Sequence, residues 1–76
     1  MTEASKIVDA KGQSCPMPVL LTAKGIKDLE SGQVMLVEVT DSGARSDIPA
    51  WASQTGNELV DSSEADGVMK FYIRKK

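Results

Sequence analysis

"VMLVEVT", residues 34–40, is apolar and β-branched almost throughout. That pattern suits a central strand covered on at least one face. The flanking sequence supplies neighbours and cover. Upstream, "KIVDA" (residues 6–10) is a short strand candidate and "KGQS" (11–14) a Gly-containing loop. From Pro16 to about Glu30 the chain reads as a helix that "SGQ" then stops. Downstream, "DSGARS" (41–46) reads as a loop, after which Ser46 or Asp47 caps a shorter helix with Pro49 in its first turn. Ile48, Trp51, Ala52 and Thr55 share one face of it, with Trp51 in the core, and Gly56 is its stop. "NELVDSSE" (57–64) and "VMKFYIR" (68–74) are strands joined around Asp66-Gly67, a strong hairpin signal. Met69, Phe71 and Ile73 alternate with Lys70, Tyr72 and Arg74, so the first set faces the core. The predicted fold is an α/β two-layer sandwich of βαβαββ order, a four-stranded mixed sheet with two helices packed on one face.

Seventy-six residues make a single domain, 1–76, with residues 1–5 as a loose polar tail. A chain of this size buries only ~60% of its unfolded surface. One Cys and no His exclude an intramolecular disulfide and a zinc cluster, and remove the usual base for a nucleophilic thiol. No cofactor is expected. A net charge of -2 and a pI near 4.9 give no general reason to bind nucleic acid. The basic end Arg74 to Lys76 reads as a solvated strand terminus. No apolar run approaches the ~18 residues of a membrane span, and no signal-peptide pattern opens the chain. A free thiol in that setting fits a reducing cytoplasm.

That thiol, Cys15, lies in "SCPMPV" (14–19), beside two of the three prolines. A residue before proline is pushed out of helical geometry, so Pro16 makes Cys15 an N-cap and itself takes the first helical position. Pro18 falls in the same turn, where its missing N–H breaks no bond. Met17 N–H is left as the nearest free donor for a sulfur at the cap. A helix N-terminus stabilises a thiolate, the reactive form, although Asp9 opposes part of that effect. On these residues alone a second reading stays open, in which Cys15 is a small buried hydrophobe and the prolines only punctuate the helix.

The stretch Asp9 to Pro18, "DAKGQSCPMP", resembles the D-x-x-G-x-x-C-P-x-P signature of the TusA/SirA-like sulfur carrier family. Asp41 to Trp51, "DSGARSDIPAW", is similar to the family's second block, and the order of elements matches from about Ile7 to Arg74. The resemblance implies the same βαβαββ sandwich and a persulfide carried on Cys15. It implies a sulfur donor of the cysteine desulfurase, rhodanese or DsrE type and an acceptor protein with a reactive Cys. The routes it implies are tRNA thiolation, cofactor sulfuration or sulfur oxidation, or thiosulfate uptake beside a transporter. Two departures stand out. Ser42-Gly43 replaces a common proline, which should loosen that loop, and Gly25 occupies a helix position where Ala would be better by ~1 kcal/mol.

Other residues carry two readings each. Asp9 either hydrogen-bonds the loop before Cys15 or is a solvated strand-end charge. Gly12 permits a left-handed turn. Asp47 is a helix cap or a catalytic group; Arg45 is a solvated charge or steers an anionic sulfur donor. Val19, Thr22, Ala23, Ile26 and Leu29 form the core face of the first helix, and Met17, Leu20, Leu21 and Lys24 project to the other side. That second set is either scattered surface or a docking surface for partner proteins. The competing functions are a small thiol-redox protein and a regulatory interaction domain; C-x-x-C is absent. A monomer is expected.

Overall fold

The computed structural model describes residues 4–14 and 16–76. Its elements are β1 (Lys6–Ala10), α1 (Met17–Ile26), β2 (Val34–Val39), α2 (Ala44–Thr55), β3 (Glu58–Ala65) and β4 (Val68–Arg74). The sheet order is β1-β2-β4-β3, with β1 and β2 parallel and β4 antiparallel to both its neighbours. It follows that β3 also runs parallel to β2, and each parallel step is bridged by a helix, as parallel connections require. The carboxyl ends of β1, β2 and β3 therefore lie at one edge of the sheet, where Ala10, Val39, Met69 and Glu64 form one transverse row.

Period-two alternation sorts each strand. Met35, Val37 and Val39 are fully buried beneath the helices, beside Val8, Ala10, Met69, Phe71 and Ile73. Ile26 and Leu29 from the α1 side and Ala44 and Ile48 from α2 close over them. The other face has no helix, and there Ile7, Leu36 and Tyr72 make a cross-strand row. Asp66 and Gly67 both take positive φ, 53° and 79°, in the two-residue turn between Ala65 and Val68, as the Asp-Gly signal predicts. Trp51 packs half-buried at the core's edge.

Several boundaries differ from the sequence reading. Helix α1 ends at Ile26, four residues before Glu30. Its end tightens into i→i+3 bonds, Asp28 N–H to Gly25 O (3.1 Å) and Leu29 N–H to Ile26 O (3.2 Å), which roll Leu29 into the core. The Lys75 ammonium then donates to Leu29 O at 2.6 Å. Helix α2 starts at Ala44, before the expected caps Ser46 and Asp47, because Ala44 is itself buried. Its first turn closes on the carbonyls of Asp41, Ser42 and Gly43, so Asp47 makes no side-chain cap and Pro49 lies inside the helix. Thr55, expected on the core face, is exposed and donates to Trp51 O at 2.8 Å.

The core face of α1 is also rotated. Pro18, Thr22, Gly25 and Ile26 are buried, while Val19 and Ala23 are half-buried. Gly25 is where the helix meets the sheet: a Cβ there would lie 2.7 Å from Val8 Cγ2 and 3.1 Å from Met35 Sδ. Ala, favoured by helix propensity, would collide, so close approach decides this position. Ser5, placed by the sequence in a loose tail, donates its N–H to Val34 O at 2.7 Å; residues 1–3 of that tail lie outside the described residues.

Candidate functional site

Ligand and reaction sites of α/β sheets lie beyond the carboxyl ends of parallel strands. Here two loops leave that edge side by side, residues 11–16 after β1 and residues 40–43 after β2. Each carries one of the two motifs read from the sequence. Cys15 itself lies outside the described residues.

The first loop is built from its strand outward. Asp9 accepts the Lys11 N–H at 3.0 Å, so it does bond the loop before Cys15. Gln13 N–H reaches back to Ala10 O at 3.3 Å, and Gly12 between them takes φ 78°, the left-handed turn predicted for it. The Lys11 ammonium lies 3.1 Å from Asp9 Oδ1 and 3.3 Å from Glu38 Oε1. The Lys11 backbone N–H, and then its ammonium, hold the Asp9 carboxyl below the usual carboxylate range. Asp9 and then Glu38 hold Lys11 above the ordinary lysine value. Gly12 N–H donates to Thr40 Oγ1 at 2.9 Å and so joins the two loops.

The helix start differs in detail from the expectation. Pro16, expected as the first helical residue behind a Cys15 cap, is itself the N-cap of α1, so the cap is not Cys15; the helix begins at Met17 and Pro18 is its second residue. Met17 N–H donates to Ser14 O at 2.9 Å, so it is not a free donor for sulfur. A turn closing over residues 14–17 uses it first.

On the exposed side of α1, Met17 and Leu20 are 39% and 54% exposed, with Lys24 one turn on. Leu21, grouped with them by helical projection, instead packs half-buried against the core. The rotation that buries Gly25 and Pro18 carries Leu21 inward as well.

Arg45 is held by Glu64 through two bonds of 2.8 and 3.0 Å, over a shallow cleft of about 260 Å³ that Ser62, Met69 and Phe71 help to line. Among the described residues, no hydrogen bond or ion pair joins Arg45 or Asp47 to the loop at 9–14. Thr40, Lys11 and Glu38 were missed by the sequence reading. Thr40 reads there as the tail of an apolar strand, and its partner is 28 residues away.

A loop entering a helix at the carboxyl edge of a small two-layer α/β sheet, in a chain whose one cysteine falls in that loop's sequence, defines the class: a small single-cysteine α/β domain. The comparisons make the class a family. The family model described as sulfurtransferase TusA matches residues 6–75, and this chain belongs to that family. It is 51% identical over 74 residues to a putative sulfur carrier protein of Halobacterium salinarum, covering 96% of this chain and 91% of that one. It is 43% identical over 75 residues to the sulfur carrier protein TusA of Allochromatium vinosum, covering 99% of both. In structure it is similar to a SirA-like protein of Desulfitobacterium hafniense, with a TM-score of 0.80, 32% identity, and 91% and 95% of the two chains covered. No helix among the described residues is long and apolar enough to cross a membrane.

Proposed function

We propose that this chain is a sulfur carrier that holds sulfane sulfur as a persulfide on Cys15 and relays it between proteins. The observation that carries the reading is near full-length membership of the TusA family by a chain with a single thiol, set in the family's C-P-x-P motif. In the first step the Cys15 thiolate attacks the outer sulfur of a donor persulfide. The donor's S–S bond breaks, its thiolate leaves, and Cys15-S-SH forms. An acceptor thiolate then attacks that same outer sulfur and Cys15 thiolate departs. Each step exchanges one S–S bond for another and needs no external oxidant or reductant. As in thiol–disulfide exchange, rate depends on thiolate fraction, leaving group and access. A lone cysteine supports the reading, because a second thiol in reach would discharge the persulfide as a disulfide.

The donor is a desulfurase, rhodanese-type or DsrE-type protein, the acceptor a protein with a reactive Cys, and the setting a reducing cytoplasm. Asp9, Gly12, Pro16 and Pro18 shape the thiol's loop and helix start. Met17, Leu20 and Lys24 form the docking stripe, extended by Lys27. Neither lysine makes an ion pair among the described residues, whereas Lys6, Lys11, Arg45, Lys70 and Arg74 all do. Such a stripe fits a partner that is apolar beside its cysteine and acidic about 10 Å further along, the span of seven helical residues.

Intact-mass measurement after incubation with a cysteine desulfurase and cysteine tests the proposal. Added sulfur atoms that reductant removes, and that Cys15→Ser abolishes, are expected. Loading that survives in Cys15→Ser would overturn the mechanism. A glutathione-sized adduct formed under oxidant alone would indicate a redox protein, and no adduct a binding module.

A further inference from the structure

Among the described residues, the loop at 11–14 has few ties to the rest of the fold. The bonds from Lys11 N–H to Asp9 and from Gln13 N–H to Ala10 stay within the loop's own strand end. Among the described residues, two contacts cross from residues 11–14 to β2 and its loop. One is the Lys11 ammonium on Glu38, solvent-exposed and salt-screened. The other is Gly12 N–H to Thr40 Oγ1 at 2.9 Å, a short bond to the backbone itself.

Both ends of that bond have defined geometry. Gly12 is fixed by the turn at positive φ, which aims its N–H away from its own strand. Thr40 directly follows Val39, a fully buried residue of the central strand, so its backbone is anchored by the core while its hydroxyl sits at the surface. Cys15 is three residues beyond Gly12 and directly precedes Pro16, the N-cap of α1. In sequence the thiol thus falls between two described fixed points, the Gly12 amide held by Thr40 and the Pro16 cap of α1.

We propose that Thr40 is a positioning residue for Cys15: its hydroxyl clasps Gly12 and so restricts the loop that leads to the thiol. This inference rests on Cys15 being the reacting group. With the clasp open, the loop samples more conformations. The thiolate then spends less time where the helix end favours it and less time aimed at a partner's sulfur.

The test compares wild type, Thr40→Val and Thr40→Ser. Valine keeps the shape and removes the acceptor; serine keeps the hydroxyl and removes the methyl. Thr40 is exposed and lies outside the strands, so both variants fold. The first readout is the pH profile of Cys15 alkylation by iodoacetamide, which needs neither sulfur nor a partner. The expected result is a profile displaced to higher pH in Thr40→Val and restored in Thr40→Ser, with melting temperature unchanged. The second readout is sulfur transfer from a loaded desulfurase, expected to fall about fivefold in Thr40→Val, the factor that one such hydrogen bond corresponds to, and to recover in Thr40→Ser. A valine variant matching wild type in both measurements, or a serine variant that fails to restore them, overturns the proposal. If the wild type accepts no sulfur while the alkylation profiles still separate, the clasp stands and the carrier reading falls.

Discussion

The two helices follow parallel strands, start at the same edge of the sheet and cover the same face, yet they treat solvent differently. α2 buries Ala44, Ile48 and Ala52 at a strict four-residue spacing and exposes Arg45, Ser46, Ala50, Ser53 and Gln54. α1 buries Pro18, Thr22, Gly25 and Ile26 and leaves Met17 and Leu20 in water. The polar surface of α2 shows that this architecture does not require apolar side chains on a helix's outer face. Their presence on α1 supports the docking role proposed for this face. The prolines make the same contrast. Pro16 and Pro18 sit where a helix has no N–H bond to lose, whereas Pro49 removes one from the interior of α2.

The sharpest way to break this comparison is a pair of adjacent charges on α1. Leu21→Glu puts a carboxylate against the core and is expected to cost about 2–4 kcal/mol, enough to unfold much of so small a domain. Leu20→Glu should move the melting temperature by no more than about 4 °C, while slowing transfer to and from partner proteins severalfold. Ser53→Glu on α2 should do neither. Thermal melts and transfer assays on the three variants check this, and equal transfer by Leu20→Glu and Ser53→Glu would erase the distinction between the helices.

Gly25→Ala comes next. Its methyl would meet Val8 at 2.7 Å, so overpacking outweighs the gain in helix propensity. A net loss of about 1–2 kcal/mol is expected, a fall of roughly 4–16 °C in melting temperature. A variant more stable than wild type would mean that α1 lifts from the sheet at little cost.

Pro49→Ala should act in the opposite direction. Alanine restores an N–H to the helix interior, and the gain exceeds the lost rigidity of the unfolded chain, giving about 1–2 kcal/mol of added stability. Pro16→Ala should bring no such gain, since the cap position has no intrahelical bond to recover. Urea titrations of the two variants measure the difference directly.

The smallest effect is electrostatic. Asp9 is held below its unfolded-state pKa, so its contribution is present above that value and is lost as pH falls through the folded one, a window below about pH 4. Lys11 is held above its unfolded value, so its contribution is complete below about pH 10.5 and is lost as pH rises beyond it. Between these limits the pair stabilises the loop at constant strength. Asp9→Asn should therefore flatten the acid limb of stability against pH, measured at low salt, and leave the slope between pH 5 and 9 unchanged.

How much of this was legible without coordinates differs from residue to residue. The Asp66-Gly67 hairpin and the left-handed Gly12 each depend on a few neighbouring residues and are legible in the sequence; Asp9 carries two readings there, and its bond to Lys11 N–H decides between them. The start of α2 was placed late because Ser46 and Asp47 are good caps in isolation. The burial of Ala44, which a local rule does not weigh, begins the helix earlier. Leu21 was assigned outward because helical projection assumes a centre for the buried face. That centre was set by where Gly25 lets α1 touch Val8 and Met35.

The sequence by itself determined the order of elements and the proline-marked start of the first helix, and it supplies the one thiol on which the proposed function rests. These follow from side-chain periodicity and from backbone restrictions that act over a few residues. The tertiary structure alone decided which flank of α1 faces solvent and that Thr40 reaches Gly12 across 28 residues. Such contacts arise only once β1 and β2 pair in parallel, because that pairing brings distant loops to one edge and fixes how closely the helix can lie on the sheet.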